Sequence, residues 1–224
     1  LALAPRNPLI LIPRILLEYE VGDFEGGEAY LKRLLEVASL TPPGPTVPSA
    51  TIVGVIPLVA RITGTTDRFD IAEAAAEAIL SSPTSNPSFT QAARVGLALM
   101  AVQRADVAAA AEEYSALESR RGTFIPRLGF CYDHLLGLLA HTIGNLDQAM
   151  THFEDALALC RKAGSRPELA WSCCDYADAL FQRDGRGDRP KAMALLDESL
   201  LISRDLGMRP LMERVLARRD ILKA

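Results

Sequence analysis

The chain has 224 residues, 24 basic and 28 acidic, for a net charge of −4, and 49% of it is hydrophobic. That apolar share is ample for a packed core and excludes wholesale disorder, while the acidic balance and the lack of any dense Lys/Arg run argue against a nucleic-acid surface. The most apolar run, Pro8 to Leu17, is broken by Pro13 and Arg14 and falls well short of the roughly 20 residues that cross a bilayer. In chain order, apolar residues recur at helical spacing and no strand pattern interrupts them. Leu9 to Glu20 and Phe24 to Leu40 form a first helical hairpin around Gly22-Asp23. Thr41-Pro42-Pro43-Gly44-Pro45 is a connector in which no helix can continue, because each proline lacks an N–H and disfavours helix in the residue before it.

A second hairpin spans Pro48 to Ile62 and Phe69 to Leu80, divided by Gly64-Thr65-Thr66-Asp67. A third takes Phe89 to Gln103 and Val107 to Arg121, with Asp106 as N-cap and Gly122 as the stop. The fourth, from Tyr132 to Ala163, is the most readable. Leu135, Leu136, Leu139 and Ile143 share one face of its first arm, and Ala149, Phe153, Ala156, Leu157 and Cys160 one face of its second. Gly144-Asn145 breaks the two, and Asp147 then sits in a first helical turn, where negative charge is favoured. Pro167 to Arg183 and Pro190 to Leu206 make a fifth hairpin, and a helix from Pro210 to Lys223 follows without a partner arm.

Stacking the second arms exposes a repeat. Ala110 with Tyr114, Ala149 with Phe153 and Ala192 with Leu196 all place a small residue one helical turn before a large one. The small residue lets two helices approach, and the large one fills the space beside it. The intervals between the small residues are 39 and 43, the longer absorbing Gly185-Arg186-Gly187-Asp188.

Leu136-Gly137, Ala140, Gly144, Ala149, Phe153 and Ala156-Leu157 resemble the tetratricopeptide pattern. From roughly Leu128 to Arg219 the chain is also similar to the helical repeat tails of large bacterial signalling ATPases. There the resemblance rests on Gly144 to Ala149, His152 to Leu157, Asp175-Tyr176-Ala177, Gly187-Asp188-Arg189 and Leu206-Gly207-Met208-Arg209. In that plan an AAA-like, STAND-class nucleotide switch precedes the repeats, with a class III nucleotide-cyclase domain in front or a LuxR-type helix-turn-helix behind.

The resemblance implies an all-α, right-handed α-solenoid of tetratricopeptide-like hairpins, one repeat domain over residues 1–224. Its inner, concave wall would be lined by first arms. Gln91, Arg94, Tyr132, Asp133, His134, Trp171, Asp175 and Tyr176 are the expected binding residues there, because aromatic and arginine side chains commonly anchor interfaces. The expected function is a non-catalytic interaction and sensor segment of a signalling or transcriptional regulator, binding a protein, a peptide or a small effector. A free-standing adapter is the alternative.

No Gly-x-x-x-x-Gly-Lys-Ser/Thr loop occurs, so ATPase or cyclase activity would lie outside this chain, and no cofactor, nucleic-acid contact or membrane contact is expected from it. The opening at Leu1 rather than Met reads as a piece of something longer. Cys131, Cys160, Cys173 and Cys174 show no metal or redox spacing and read as buried thiols of a cytoplasmic protein. His134 and His141 are two helical turns apart, about 10 Å of rise, too far to share one metal ion, and read as groove or surface residues. Arg186-Gly187-Asp188 spells an adhesion tripeptide, but in a helical chain of this kind it is read as an ordinary loop.

Overall fold

The computed structural model describes residues 7–223, so the reading of Leu1 as an internal position concerns residues outside them. The described residues form α1 (Pro8–Glu20), α2 (Phe24–Ser39), α3 (Val47–Thr63), α4 (Phe69–Leu80), α5 (Pro87–Arg104), α6 (Val107–Leu117), α7 (Tyr132–Ile143), α8 (Leu146–Ala163), α9 (Arg166–Arg183), α10 (Asp188–Leu206) and α11 (Arg209–Lys223). Expected and observed helix ends agree to within a residue or two, except that α6 stops early and runs into a 3-10 turn, Glu118–Arg120. Among the described residues there is no strand, only an isolated antiparallel bridge between Phe124 and Cys131.

The chain divides into two compact units on either side of the Arg104–Ala105 bond. Within the first unit α5 is built onto α3 and α4, and within the second α6 is built onto α7. Ala105 takes a left-handed φ of 53° between them, and the Asp106 side chain accepts the Ala109 N–H to start α6. Local turn signals specified both helices but not which neighbours each would pack against.

In the first unit α3 is the central element, in contact with α1, α2, α4 and α5. Every residue from Thr51 to Ala60 is buried, so α3 has no solvent face and its sequence is apolar all round. Pro57 lies within it and cannot donate to the Val53 carbonyl four residues back. Gly96 of α5 lies directly against that point: a Cβ there would collide with both Val53 Cγ1 and the Val53 carbonyl oxygen. One turn further along, Gln103 Nε2 donates to the Pro57 carbonyl at 2.8 Å.

In the second unit α7 and α8 form one hairpin and α9 and α10 another, while α6 packs on α7 and α11 on α10 and α9. First arms also meet first arms, α7 against α9 and α9 against α11. Gly144, at φ 88°, ends α7, and Asn145 N–H reaches the Ala140 carbonyl at 2.9 Å, satisfying a carbonyl that the helix end would leave open. Phe153 is fully buried, stacked on Tyr176 with ring centroids 5.2 Å apart, and faces Gly137, where a Cβ would lie 3.1 Å from its ring.

The α3–α5 contact supplies a test of sign. Helix propensity alone makes Gly→Ala in a helix interior favourable by about 1 kcal/mol. The collision with Val53 reverses this, so Gly96→Ala is expected to destabilise by about 1–3 kcal/mol in urea unfolding. A stabilised variant would contradict the close approach of the two helices.

Candidate functional site

The expected binding residues do not form an open wall. Tyr132, Asp133, His134, Trp171, Asp175 and Tyr176, expected on a concave binding wall, are all buried. The cause is the number of neighbours: α9 touches α7, α8, α10 and α11, and is buried without a break from Glu168 to Ala177. Gln91 and Arg94 are half-buried on α5, in the other unit, so they share no unit with the remaining six.

What those residues build is a buried ionic chain. Glu168, Ser172 and Asp175 recur at i, i+4 and i+7 along α9 and so face α7 together. His134, fully buried on α7, has Glu168 Oε1 at 2.8 Å from Nδ1 and Asp175 Oδ2 at 2.9 Å from Nε2. A carboxylate at each ring nitrogen suits the imidazolium form, which can donate from both. Phe130 stacks on the imidazole at 4.9 Å, and the Cys131 N–H donates to the same Glu168 oxygen.

Arg214 of α11 continues the chain, donating to Asp175 Oδ1 at 2.9 Å, lying 3.5 Å from Asp178 and passing over the Trp171 ring at 5.6 Å. Arg218 donates to Asp178 at 2.8 Å. Burial alone would lower the Arg214 guanidinium pKa, but Asp175 and Asp178 reverse the effect and hold it above its usual range. Burial, with the like charge of Asp175, raises the Asp178 carboxyl. Acids and bases alternate from Glu168 to Arg218, binding α7, α9 and α11 together.

Ser172 Oγ lies 3.0 Å from His134 Nδ1, so a serine, a histidine and an aspartate are in register. Nδ1, the nitrogen nearest the serine, also faces Glu168 at 2.8 Å, and all these groups lie in the interior.

A second cluster lies between α6, α7 and α8. His152 Nε2 is 2.8 Å from the Tyr114 hydroxyl, and Gln148 Nε2 donates to that hydroxyl. Asp133 Oδ2 accepts the Gly122 N–H at 2.6 Å. Burial, followed by the charge of Glu118, raises the Tyr114 pKa and keeps its hydroxyl protonated.

A depression of about 250 Å³ is lined by His141 of α7, by Ala177, Asp178, Phe181 and Gln182 of α9, by Arg218 and Ile221 of α11, and by Leu196 beneath. Phe181 is 39% and Ile221 53% exposed. The first unit has a cavity of similar size, about 240 Å³, around Tyr19, Glu28 and Arg68. There the polar groups satisfy one another: Arg68 donates twice to Glu28, at 2.9 and 2.6 Å, and the Tyr19 hydroxyl, pushed up to about 12 by burial and then by Glu28, donates to it as well.

The four cysteines are free and buried, and burial raises the Cys173 thiol. Asp188 of the Arg186-Gly187-Asp188 loop is buried, accepting the Gly185 N–H and a two-pronged contact from Arg183, so it cannot be presented as an adhesion motif. Among the described residues no helix is long and apolar enough to cross a membrane. No family model, no curated protein and no solved structure matches the chain.

His134 and His141 share a helix face but have different roles, which unfolding experiments can separate. His134→Leu strands two buried carboxylates and is expected to cost about 3–5 kcal/mol. His141→Leu, at the half-buried edge of the depression, should stay within about 1 kcal/mol of wild type. Similar losses for both would contradict the ionic chain.

Proposed function

We propose that the chain is a non-catalytic interaction and sensor segment of a bacterial signalling regulator, its helical hairpins stacked within each unit as a right-handed, tetratricopeptide-like solenoid. The alternation of contacts supports the stacking: α1 meets α3 and α3 meets α5 in the first unit, as α7 meets α9 and α9 meets α11 in the second. The Leu136-Gly137 to Leu157 pattern supports the repeat type, because Gly137 and Phe153 interlock across α7 and α8 as close hairpin packing requires.

The observation that carries the function is the depression on α7, α9 and α11. It presents two apolar side chains, Phe181 and Ile221, beside the Asp178–Arg218 pair, on the helices that form the inner wall in this reading. An apolar anchor with charged groups at its edge suits a short protein or peptide segment that inserts one hydrophobic residue. Such a ligand would work by preferring one docking of the segment over another, shifting the regulator by no more than that preference. Nucleotide chemistry, cyclisation or DNA binding would belong to domains outside this chain.

Photo-crosslinking in cells that express the native gene tests this. A photoreactive residue at Phe181 should capture a partner, and Arg218→Glu should diminish that capture. The same probe at Leu201, which is 61% exposed on the second-arm helix α10, should capture far less. Equal capture at both positions, or capture indifferent to Arg218, would contradict the assignment of the face.

A further inference from the structure

Of the buried polar atoms in the second unit that have no hydrogen-bond partner, two face one another. Asp133 Oδ1 and His152 Nδ1, each on a side chain about 1% exposed, stand 3.9 Å apart. Leaving such atoms unmatched in the interior costs free energy, so a pair of them aimed into one space points to something that fills it. Asp155, one helical turn from His152 on α8, brings a carboxylate oxygen to the same place, and the three donor atoms lie within 4.8 Å of one another.

We propose that Asp133, His152 and Asp155 bind a divalent transition-metal cation of the kind zinc represents. The donor set is one imidazole and two carboxylates, which suits such an ion. Each ligand is already oriented. The Gly122 N–H holds one Asp133 oxygen and leaves the other turned inward. The Tyr114 hydroxyl engages Nε2 of His152, which directs Nδ1 to the ion, as an outer hydrogen bond does at histidine metal ligands generally.

Donors around a four-coordinate ion at about 2.0–2.1 Å lie closer together than this. Asp155, about half exposed, has the freedom to close the set. A fourth position is left for water or another ligand.

Arg121 marks the cation position. Its guanidinium donates to Asp155 Oδ2 at 2.9 Å and its Nε lies 3.9 Å from Asp133 Oδ1, so it stands in for the ion's positive charge. Its side chain is about half exposed and can swing outward when a metal enters. The site ties α8 to α7 and to the Gly122 loop, and is independent of the depression on α7, α9 and α11.

Calorimetry with Zn2+ and with Co2+, on the full chain kept reduced, tests the proposal. One ion per chain is expected. Asp155→Asn, an exposed change that leaves the core intact, should weaken binding on the order of tenfold or more. Arg121→Ala should tighten it, and Cys131→Ala should leave it unchanged. The bound Co2+ should show ligand-field absorption without a thiolate charge-transfer band. No binding of either ion, affinity indifferent to Asp155, or a thiolate band placing the ion on cysteine would each overturn it.

Discussion

The buried ring of His134, held between Glu168 and Asp175, is the interaction on which the second unit depends. Three charges cannot be taken out of water unless each finds its partners, and their mutual attraction repays the desolvation only if the geometry is good. Meeting that condition sets the rest. The two carboxylates lie seven residues apart on α9, so α9 must turn that face to α7. The remaining oxygen of Asp175 then calls for Arg214, which brings α11 alongside. Phe130 covers the open side of the ring, and this fixes the path of the loop from Gly122 to Cys131.

The first unit solves its central packing without buried charge. Its α3 is apolar on every side, and Pro57 removes one backbone donor from its middle. A backbone carbonyl at Val53 then meets a glycine on α5 rather than a side chain, so the helices approach more closely than ordinary residues permit. One unit is therefore specified by shape and the other by ion pairing, which gives the second more directional constraint than apolar packing supplies.

The helices were almost wholly legible in the sequence because their signals are local: Gly144, Gly207 and the Pro-rich connector end elements wherever they fall. What helices do with one another was less legible. The boundary between the two units falls at Arg104–Ala105, and nothing in Gln103 to Val107 encodes the partners that α5 and α6 take within their own units.

The candidate site was half visible. Asp175 and His134 were singled out as polar residues on first arms, but polarity alone does not tell a groove from a buried pair. The i, i+4, i+7 spacing of Glu168, Ser172 and Asp175 was the available signal, and it gains meaning only once His134 is known to lie opposite. Phe181 and Ile221, the exposed apolar residues of the depression, look in sequence like core positions of an amphipathic helix. The Asp133, His152 and Asp155 grouping draws on two helices, so histidine spacing along one helix could not reveal it.

The buried ionic chain, the depression on α7, α9 and α11 and the polar cluster on α8 all depend on the placement of α7 against its neighbours, and the account rests that placement on a doubly hydrogen-bonded, charged His134. Nitrogen-15 NMR of the histidine rings at neutral pH observes this directly. The account predicts one histidine with both ring nitrogens protonated and slow to exchange with solvent, its signal lost in His134→Leu. A His134 ring with one bare nitrogen at neutral pH would contradict it.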